Sequence, residues 1–223
     1  MGYILPEIYQ SLCKEHETPL PKVFIETGTW LGGVPAKTMY DCGGLVVFEK
    51  YYTIELGKEI AQRASNKYKL FEKYQFDTSK FDVTDDTVDE SFNKRQDYFN
   101  GKLTLINGDS TEMLKELLPK IDEPICFWLD AHAGAAKYAR GDSDVPLLTE
   151  LDVISNHHIK NHVIAIDDAH LFGKKQFDST TGEVVCDYSH VPFEVVKEKI
   201  LSINKNYDVG IYKPYNMEMV LAV

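Results

Sequence analysis

The sequence predicts an α/β fold: a doubly wound, mostly parallel, Rossmann-like sheet of seven strands that ends in an antiparallel hairpin strand. Two observations predict it. Short apolar runs of strand length alternate with runs of helix length, which is the pattern of right-handed crossovers and a parallel sheet covered by helices on both faces. The last two apolar runs are joined by a turn-like segment at Lys213–Asn216, and so short a connection makes a strand pair antiparallel.

The predicted elements follow one another along the whole chain. Strands are predicted at Lys22–Thr27, Tyr51–Glu55, Lys102–Asn107, Ile125–Asp130, His162–Asp167, Tyr207–Tyr212 and Met217–Val223. Helices are predicted at Val34–Asp41, Gly57–Tyr74, Ser110–Leu118, Pro146–Asn156 and Phe193–Asn204. Each of the first five strands ends in or beside an acidic residue, and these acids are expected to meet at one edge of the sheet.

The chain of 223 residues, 43% of them hydrophobic, is long enough for one sizeable core and is predicted to form a single domain over residues 1–223. Residues 1–21 are interpreted as an N-terminal extension. Residues 76–100 are acidic, have aromatic residues at loosely helical spacing, and are interpreted as an inserted helical segment. Packing or self-association is the role expected of this segment, so a homo-oligomer is one expected assembly.

Composition excludes several classes of function. A net charge of −11 argues against a nucleic acid as the main partner, because phosphate binding requires a basic surface. No apolar stretch is long enough for membrane insertion. The four cysteines are scattered, which favours reduced thiols in a cytoplasmic protein over a disulfide framework or a zinc site.

The segment VFIETGTWLGG, residues 23–33, is the most informative stretch of the chain. A strand leads into an acidic residue and then a glycine turn, and Gly28 permits a positive φ and a close approach of backbone to a nucleotide-like ligand. Glu26 is expected to meet an amino or hydroxyl group of that ligand. The same pattern also occurs at ordinary strand-to-helix turns.

Two further acidic positions fit a nucleotide. Glu55 follows the second strand, where a carboxylate accepts hydrogen bonds from both ribose hydroxyls, although it also suits the positive end of a helix. Asp109 and Ser110 begin a predicted helix. Either they form an N-cap pair, or Asp109 holds an adenine amino group.

Three carboxylates end two strands that are expected to be neighbours. Asp130, Asp167 and Asp168 would repel one another in a partly buried cleft, and a divalent cation with oxygen ligands relieves that repulsion. Mg²⁺ or Mn²⁺ is preferred to zinc because the motif contains no cysteine. The alternatives are that one aspartate caps a helix, or that the adjacent pair points to opposite sides.

Histidines beside these carboxylates are candidates for a general base. His132 follows Asp130 by two residues, and an imidazole titrates close to neutral pH. His170 and Asp168 are the next candidates, and His132 is alternatively a metal ligand or a polar loop residue. His157, His158 and His162 are interpreted as solvated residues at a helix end, and Glu150 as a surface residue with a minor chance of supporting the site.

These motifs together resemble those of class I S-adenosylmethionine (SAM) dependent methyltransferases. Within that class, FWLDAHAG, PLLTELDVI and VIAIDDAHLFG are most similar to macrocin-type sugar O-methyltransferases of polysaccharide clusters. The resemblance implies SAM as cofactor and a divalent metal held by D-x-D and a later D-D, where this chain has Asp130, His132, Asp167 and Asp168. The implied cofactor-binding residues are Glu26, Thr27, Gly28, Thr29, Gly32, Glu55, Asp109, Ser110 and Asp130.

The expected activity is transfer of a methyl group from SAM to a hydroxyl of a sugar or glycan. Loops at Ala133–Val145 and Leu171–Val191 mix aromatic and polar residues, which suits a sugar or another hydroxylated molecule. One alternative is a metal-dependent hydrolase that uses the Asp and His cluster. Another is a non-catalytic SAM-binding module that assembles with a glycosyltransferase partner.

Overall fold

The computed structural model describes residues 13–15, 20–32, 48–73, 94–134, 139–213 and 218–223. The strands are β1 (Val23–Thr27), β2 (Lys50–Glu55), β3 (Arg95–Tyr98), β4 (Leu103–Asn107), β5 (Ile125–Leu129), β6 (Val163–Ile166), β7 (Lys175–Phe177), β8 (Val184–Asp187), β9 (Val209–Tyr212) and β10 (Met219–Ala222). The α-helices are α1 (Lys58–Lys73), α2 (Ser110–Leu117), α3 (Leu147–Ser155) and α4 (Phe193–Ile203), with short 3₁₀ helices at Leu118–Lys120 and Ala169–Leu171. The helix predicted at Val34–Asp41 lies outside the described residues.

Eight strands form one sheet in the order β3-β4-β2-β1-β5-β6-β10-β9. The five central strands are parallel, whereas β10 is antiparallel to both β6 and β9. The chain winds outwards from β1 in both directions, so the strand order reverses between β1 and β5. This confirms the predicted doubly wound fold with a C-terminal antiparallel hairpin. Ligands of such sheets bind at the reversal point, beyond the carboxyl ends of the strands.

The sheet has eight strands instead of the predicted seven. The additional strand is β3, which pairs antiparallel with β4 and lies within residues 76–100, where the sequence predicts an inserted helix. Tyr98 is buried while Arg95 and Asp97 are exposed, so the strand has a single apolar position. The turn before β4 contains Asn100 and Gly101, both with positive φ, a hairpin pattern that the sequence does display. Residues 76–93 of that segment lie outside the described residues.

Alternate residues of the central strands pack into two separate cores. Val23 and Ile25 of β1 join the core that α2, α3 and α4 cover, whereas Phe24 joins the core on the α1 side. This alternation gives the three layers expected of a sheet with helices on both faces. None of the described helices is both long and apolar enough to cross a bilayer.

A small second sheet lies in the segment that the sequence treats as a loop. Strands β7 and β8 form an antiparallel pair within Leu171–Val191, with Phe177 opposite Val184. Both of these side chains are exposed, which explains why the segment lacks the apolar alternation of a buried strand. Strand β8 ends at Asp187, and the side chain of the next residue, Tyr188, is buried in the core that α2, α3 and α4 cover.

Two of the three histidines interpreted as solvated are buried. The side chains of His157 and His162 pack together at the end of the sheet opposite the cleft, and only His158 is exposed. The prediction failed because it judged these residues from their position after a helix. The buried environment comes from Ile121 and Tyr207, which are distant in sequence and hydrogen-bond to this pair.

Candidate functional site

A cavity bordered by the described residues opens at the carboxyl ends of the central strands, at the reversal point of the sheet. Its volume is about 870 Å³, enough for a nucleotide-sized ligand and part of a second molecule. Residues from the strand ends, the start of α2 and the loop before α3 line it, including Gly28, Trp30, Glu55, Leu56, Ile60, Asp109, Ser110, Asp130, His132, Ala139, Asp144 and Thr149.

Gly28, in the turn after β1, has the predicted positive φ, and the space around it also excludes a side chain. Gly28 has φ +83°, and a β-carbon at this position would lie 2.3 Å from the backbone oxygen of Asp130. The restriction therefore comes from the neighbouring strand end as well as from the turn. Gly32 also has a positive φ, and a β-carbon there would meet the ring of Tyr68 instead of the cavity.

Glu55 lies at the cavity wall, where the sequence predicts a ribose-binding carboxylate. Its Oε2 accepts a hydrogen bond from the backbone N–H of Trp30 at 2.9 Å, and its Oε1 accepts one from Gly57 at 2.8 Å. Burial raises the pKa of Glu55, and these two backbone donors oppose that effect. The carboxylate is thus held rigidly, with lone pairs left to accept ligand hydroxyls.

Glu26 lies behind the glycine turn and does not border the cavity. Its side chain is fully buried and accepts a hydrogen bond from the Thr53 hydroxyl, which also pairs with the hydroxyl of Thr29. Burial raises the pKa of Glu26 well above its usual value. Thr27 and Thr29, which were also predicted to contact the cofactor, are likewise buried in this structure.

Asp109 has the predicted N-cap role and also faces the cavity. It caps α2, since its Oδ1 accepts a hydrogen bond from the Glu112 N–H at 3.2 Å. It also borders the cavity beside Ser110. A carboxylate at this place can cap the helix with one oxygen and accept from an adenine amino group with the other.

Two of the three predicted metal ligands, Asp130 and Asp168, converge, and His132 joins them in place of Asp167. Ligand atoms of Asp130, His132 and Asp168 lie within 4.8 Å of one another, whereas Asp167 is not in this group. His132 Nε2 is 3.4 Å from Asp168 Oδ2 and 3.7 Å from Asp130 Oδ1. The side chain of Asp167 instead accepts the N–H of Asp168 at 2.9 Å.

A hydrogen bond from Nδ1 of His132, the ring nitrogen that points away from the two carboxyl groups, determines which tautomer the neutral ring adopts. Nδ1 lies 2.9 Å from the carbonyl oxygen of Ala133, which can only accept, so Nδ1 carries a proton. In the neutral ring Nε2 then presents a lone pair to two carboxylates. When both carboxyls are also ionised, three acceptor atoms converge, which is an arrangement that a cation or a transferred proton stabilises.

Burial and mutual repulsion both act on this cluster. Asp130 has a pKa well above its usual value because it is desolvated and lies close to Asp167, Asp168 and Glu26. Asp168 adopts a left-handed backbone conformation with φ +56°, which is strained for a residue other than glycine and is typical of functional sites. His170, the third candidate base, is exposed, with Nδ1 3.8 Å from Asp168 Oδ1.

Three residues near the cleft were missed or misjudged from the sequence. Glu150 is fully buried instead of lying on the surface, and it borders a small chamber shared with Asp130 and His132. Its spacing from Leu147, Leu151 and Ile154 puts Glu150 on the same helix face as these apolar residues. This spacing is a sign of burial that the prediction of a surface position did not use. Trp30 at the cavity wall lies within VFIETGTWLGG, and Tyr188, whose ring centroid is 6.0 Å from that of His132, lies within the predicted acceptor loop Leu171–Val191. Neither residue was assigned an individual role from the sequence.

Comparisons with known proteins give distant likenesses in structure. No protein family model matches the chain, and no curated protein matches it. The solved structures it is similar to include precorrin-8w decarboxylase from Methanobacterium thermoautotrophicum, with 14% identity, a TM-score of 0.47 and coverage of 100% of this chain and 92% of that one.

Two methyl-transferring proteins are among the other similar structures. Precorrin-6y C5,15-methyltransferase from Geobacter metallireducens has 10% identity and a TM-score of 0.47, over 97% of this chain and 85% of that one. An rRNA methylase from Streptococcus thermophilus has 12% identity and a TM-score of 0.43, over 100% and 97% of the two chains. Likenesses this distant carry no functional argument for this chain.

Proposed function

We propose that this protein is a SAM-dependent methyltransferase that methylates a hydroxyl oxygen. The observation that carries the proposal is that Glu55 and Asp109 line the same cavity, at the reversal point of the sheet. A carboxylate after the second strand suits the ribose hydroxyls, and one at the start of α2 suits the adenine amino group. The acidic cleft also favours a donor with a positively charged sulfonium group.

SAM, when bound, supplies an electrophilic methyl group, and an attacking oxygen would displace the sulfur from that methyl carbon in line. The residues of this chain would hold the adenosine at Glu55 and Asp109 and leave the Asp130 end of the cavity for the acceptor. The acceptor oxygen forms a bond to the methyl carbon as the carbon–sulfur bond breaks, which leaves S-adenosylhomocysteine (SAH). His132 Nε2, which has a free lone pair in the neutral ring, is placed to take the hydroxyl proton.

The Asp130, His132 and Asp168 cluster fits a divalent cation. All three groups present lone pairs, and two of them are hard oxygen ligands. A set that contains an imidazole suits Mn²⁺ better than Mg²⁺, which requires nearly ideal oxygen octahedra. A bound cation would lower the pKa of an acceptor hydroxyl, and His132 would then serve as a ligand instead of the base.

The acceptor proposed is a sugar or glycan. Support comes from the partly buried ring of Phe172, which lines a small chamber with Asp130 and His132 and is nearly parallel to the buried ring of Tyr188, with centroids 6.3 Å apart. Aromatic faces next to carboxylates suit a molecule with both C–H faces and hydroxyls. Partners such as a glycosyltransferase, and a homo-oligomer, remain part of this proposal.

Calorimetric titration of SAH into the protein tests the proposal. We expect the wild type to bind SAH and Glu55→Gln to bind it about tenfold or more weakly, because charge-assisted hydrogen bonds to the ribose are weakened. Glu59→Gln is the matched control, since Glu59 is an exposed acid in the first turn of α1. A wild type that does not bind SAH, or equal affinities in the wild type and Glu55→Gln, would contradict the assignment of the cavity.

A further inference from the structure

One buried carboxyl group behind the cavity has no role in the proposed chemistry. Glu150 lies in the first turn of α3, and its side chain is inaccessible to solvent. Within the part of the chain that the structure describes, neither of its carboxyl oxygens has a hydrogen-bond partner. Burial of this kind raises the pKa of Glu150 to about 7.

Two hydroxyl groups lie next to this carboxyl group. The side chains of Ser110 and Thr27 both favour its ionised form, yet neither makes a hydrogen bond of normal geometry to it. The Thr27 hydroxyl is itself buried without a partner. The carboxylate of Asp109, at the start of α2, opposes ionisation of Glu150.

A buried polar group without partners destabilises the state in which it occurs. An apolar side chain of similar size at position 150 would fill the same space without that cost, as α3 already presents Leu147 and Leu151 to the core. A carboxyl group is therefore better explained by an interaction in another state of the protein. Its neighbours indicate which state, since Thr27 directly precedes Gly28 and Ser110 directly follows Asp109.

We infer that Glu150 is a positioning residue for the cofactor. When the cavity is filled, its carboxyl group hydrogen-bonds to Thr27 and Ser110, and so fixes the glycine turn relative to the start of α2. Each of these two segments carries a residue that lines the cavity, namely Gly28 and Asp109. The inference rests on the proposed function, because the ligand that it concerns is SAM or SAH.

Thermal unfolding of the ligand-free protein and calorimetry with SAH separate positioning from packing. In Glu150→Leu we expect an unchanged or higher melting temperature, because the unpartnered carboxyl group is gone. SAH affinity should nevertheless fall about tenfold or more, as two hydrogen bonds that order the site are lost. Glu150→Gln keeps a donor and an acceptor and should stay within about threefold of the wild type. Glu194→Leu, in the exposed first turn of α4, is the control and should leave SAH affinity unchanged.

A second variant tests the contact from its other side. Thr27→Val removes the hydroxyl with little change in volume, and it should weaken SAH binding about fivefold in the wild type but by less than about twofold in Glu150→Leu. Unchanged SAH affinity in Thr27→Val overturns the inference even if Glu150→Leu does not fold. A wild type that binds SAH together with a Glu150→Leu protein that binds it equally well overturns this inference alone. A wild type that fails to bind SAH overturns the proposed function as well.

Discussion

Gly28 joins the backbone of two strand ends at the floor of the cavity. Its amide donates to the carbonyl of Ile54 at 2.9 Å, and its α-carbon faces the carbonyl of Asp130 so closely that a β-carbon has no room. The turn motif predicted the positive φ of this residue. The second restriction depends on β5, about a hundred residues further along the chain, and no local pattern contains it.

Gly28→Ala is expected to destabilise the protein by about 3 kcal/mol or more, from a strained φ together with a steric clash. Gly101→Ala is the matched control, because Gly101 has φ +77° but nothing within 4 Å of the added carbon. That variant should lose only the conformational part, about 1 kcal/mol. Urea unfolding measures both values, and equal losses would show that the contact with Asp130 has no energetic weight.

The membership of the acidic cluster leads to a prediction for metal binding. Asp168 belongs to the group of three converging ligands and Asp167 does not. Thermal unfolding with and without Mn²⁺ should therefore show a rise in melting temperature for the wild type and for Asp167→Asn, since a ligand that binds only the folded state stabilises it. Asp168→Asn should show no rise. A cation effect that Asp168→Asn retains would contradict the cluster, and one that both Asp167→Asn and Asp168→Asn abolish would restore the ligand set predicted from the sequence.

At the scale of elements, a buried pair of histidines, His157 and His162, connects the end of α3 with the amino end of β5. The backbone N–H of Ile125 donates to His162 Nδ1 at 3.1 Å, so Nδ1 is unprotonated and Nε2 carries the proton. His162 Nε2–H then donates to His157 Nδ1 at 3.0 Å, and His157 Nε2–H donates to the carbonyl of Ile121 at 2.9 Å. Both rings are neutral, and protonation of either one breaks a hydrogen bond of this chain.

Acidification should destabilise the protein through this pair. Burial lowers the pKa of His162 to about 3 and also lowers that of His157, and Lys160 and His158 act in the same direction. Above the unfolded pKa of about 6.5 neither state binds these protons, so the stability contributed is complete. Below it the unfolded chain is protonated first, which costs about 1.4 kcal/mol per pH unit for His162 until its folded pKa is reached.

A substitution at position 162 separates the effect of the histidine on stability from that of the buried carboxyls. Because burial raises the pKa values of Glu26 and Asp130, these groups stabilise the folded protein as the pH falls. Glutamine at position 162 accepts from Ile125 and donates to His157 without titrating, so His162→Gln should lose less stability between pH 7.5 and 5.5 than the wild type, by roughly 1 kcal/mol. His158→Gln, at the exposed neighbour, should follow the wild type closely. Denaturant unfolding at the two pH values measures the difference, and parallel losses in the wild type and His162→Gln would contradict the account.

Local patterns predicted the elements whose own residues determine them. The central strands are apolar on both faces, and α1 to α4 begin and end within a few residues of their predicted bounds. Strand β3 was missed because an edge strand with one buried side chain, Tyr98, has almost no alternation. The β7–β8 hairpin was missed because its paired Phe177 and Val184 both face solvent.

At the scale of the whole molecule, the sheet order brings five segments to one edge and so assembles a site from residues that are far apart in sequence. The acids at the strand ends predicted which residues meet there, as Glu55, Asp109, Asp130 and Asp168 show. The sequence did not reveal which side chains face the cavity and which support it. Strand pleating points Glu26 to the same face of the sheet as Phe24, where it is buried on the α1 side. Helix packing buries Glu150. Both effects depend on neighbours from other elements.

A crystal structure of the protein with SAH tests the central claim most directly. The account predicts SAH in the cavity at the reversal point of the sheet, with its ribose hydroxyls bonded to Glu55 and its adenine beside Asp109. The sulfur should face the Asp130, His132 and Asp168 cluster. SAH bound with its ribose away from Glu55, or a cavity that stays empty at saturating SAH, would contradict the account.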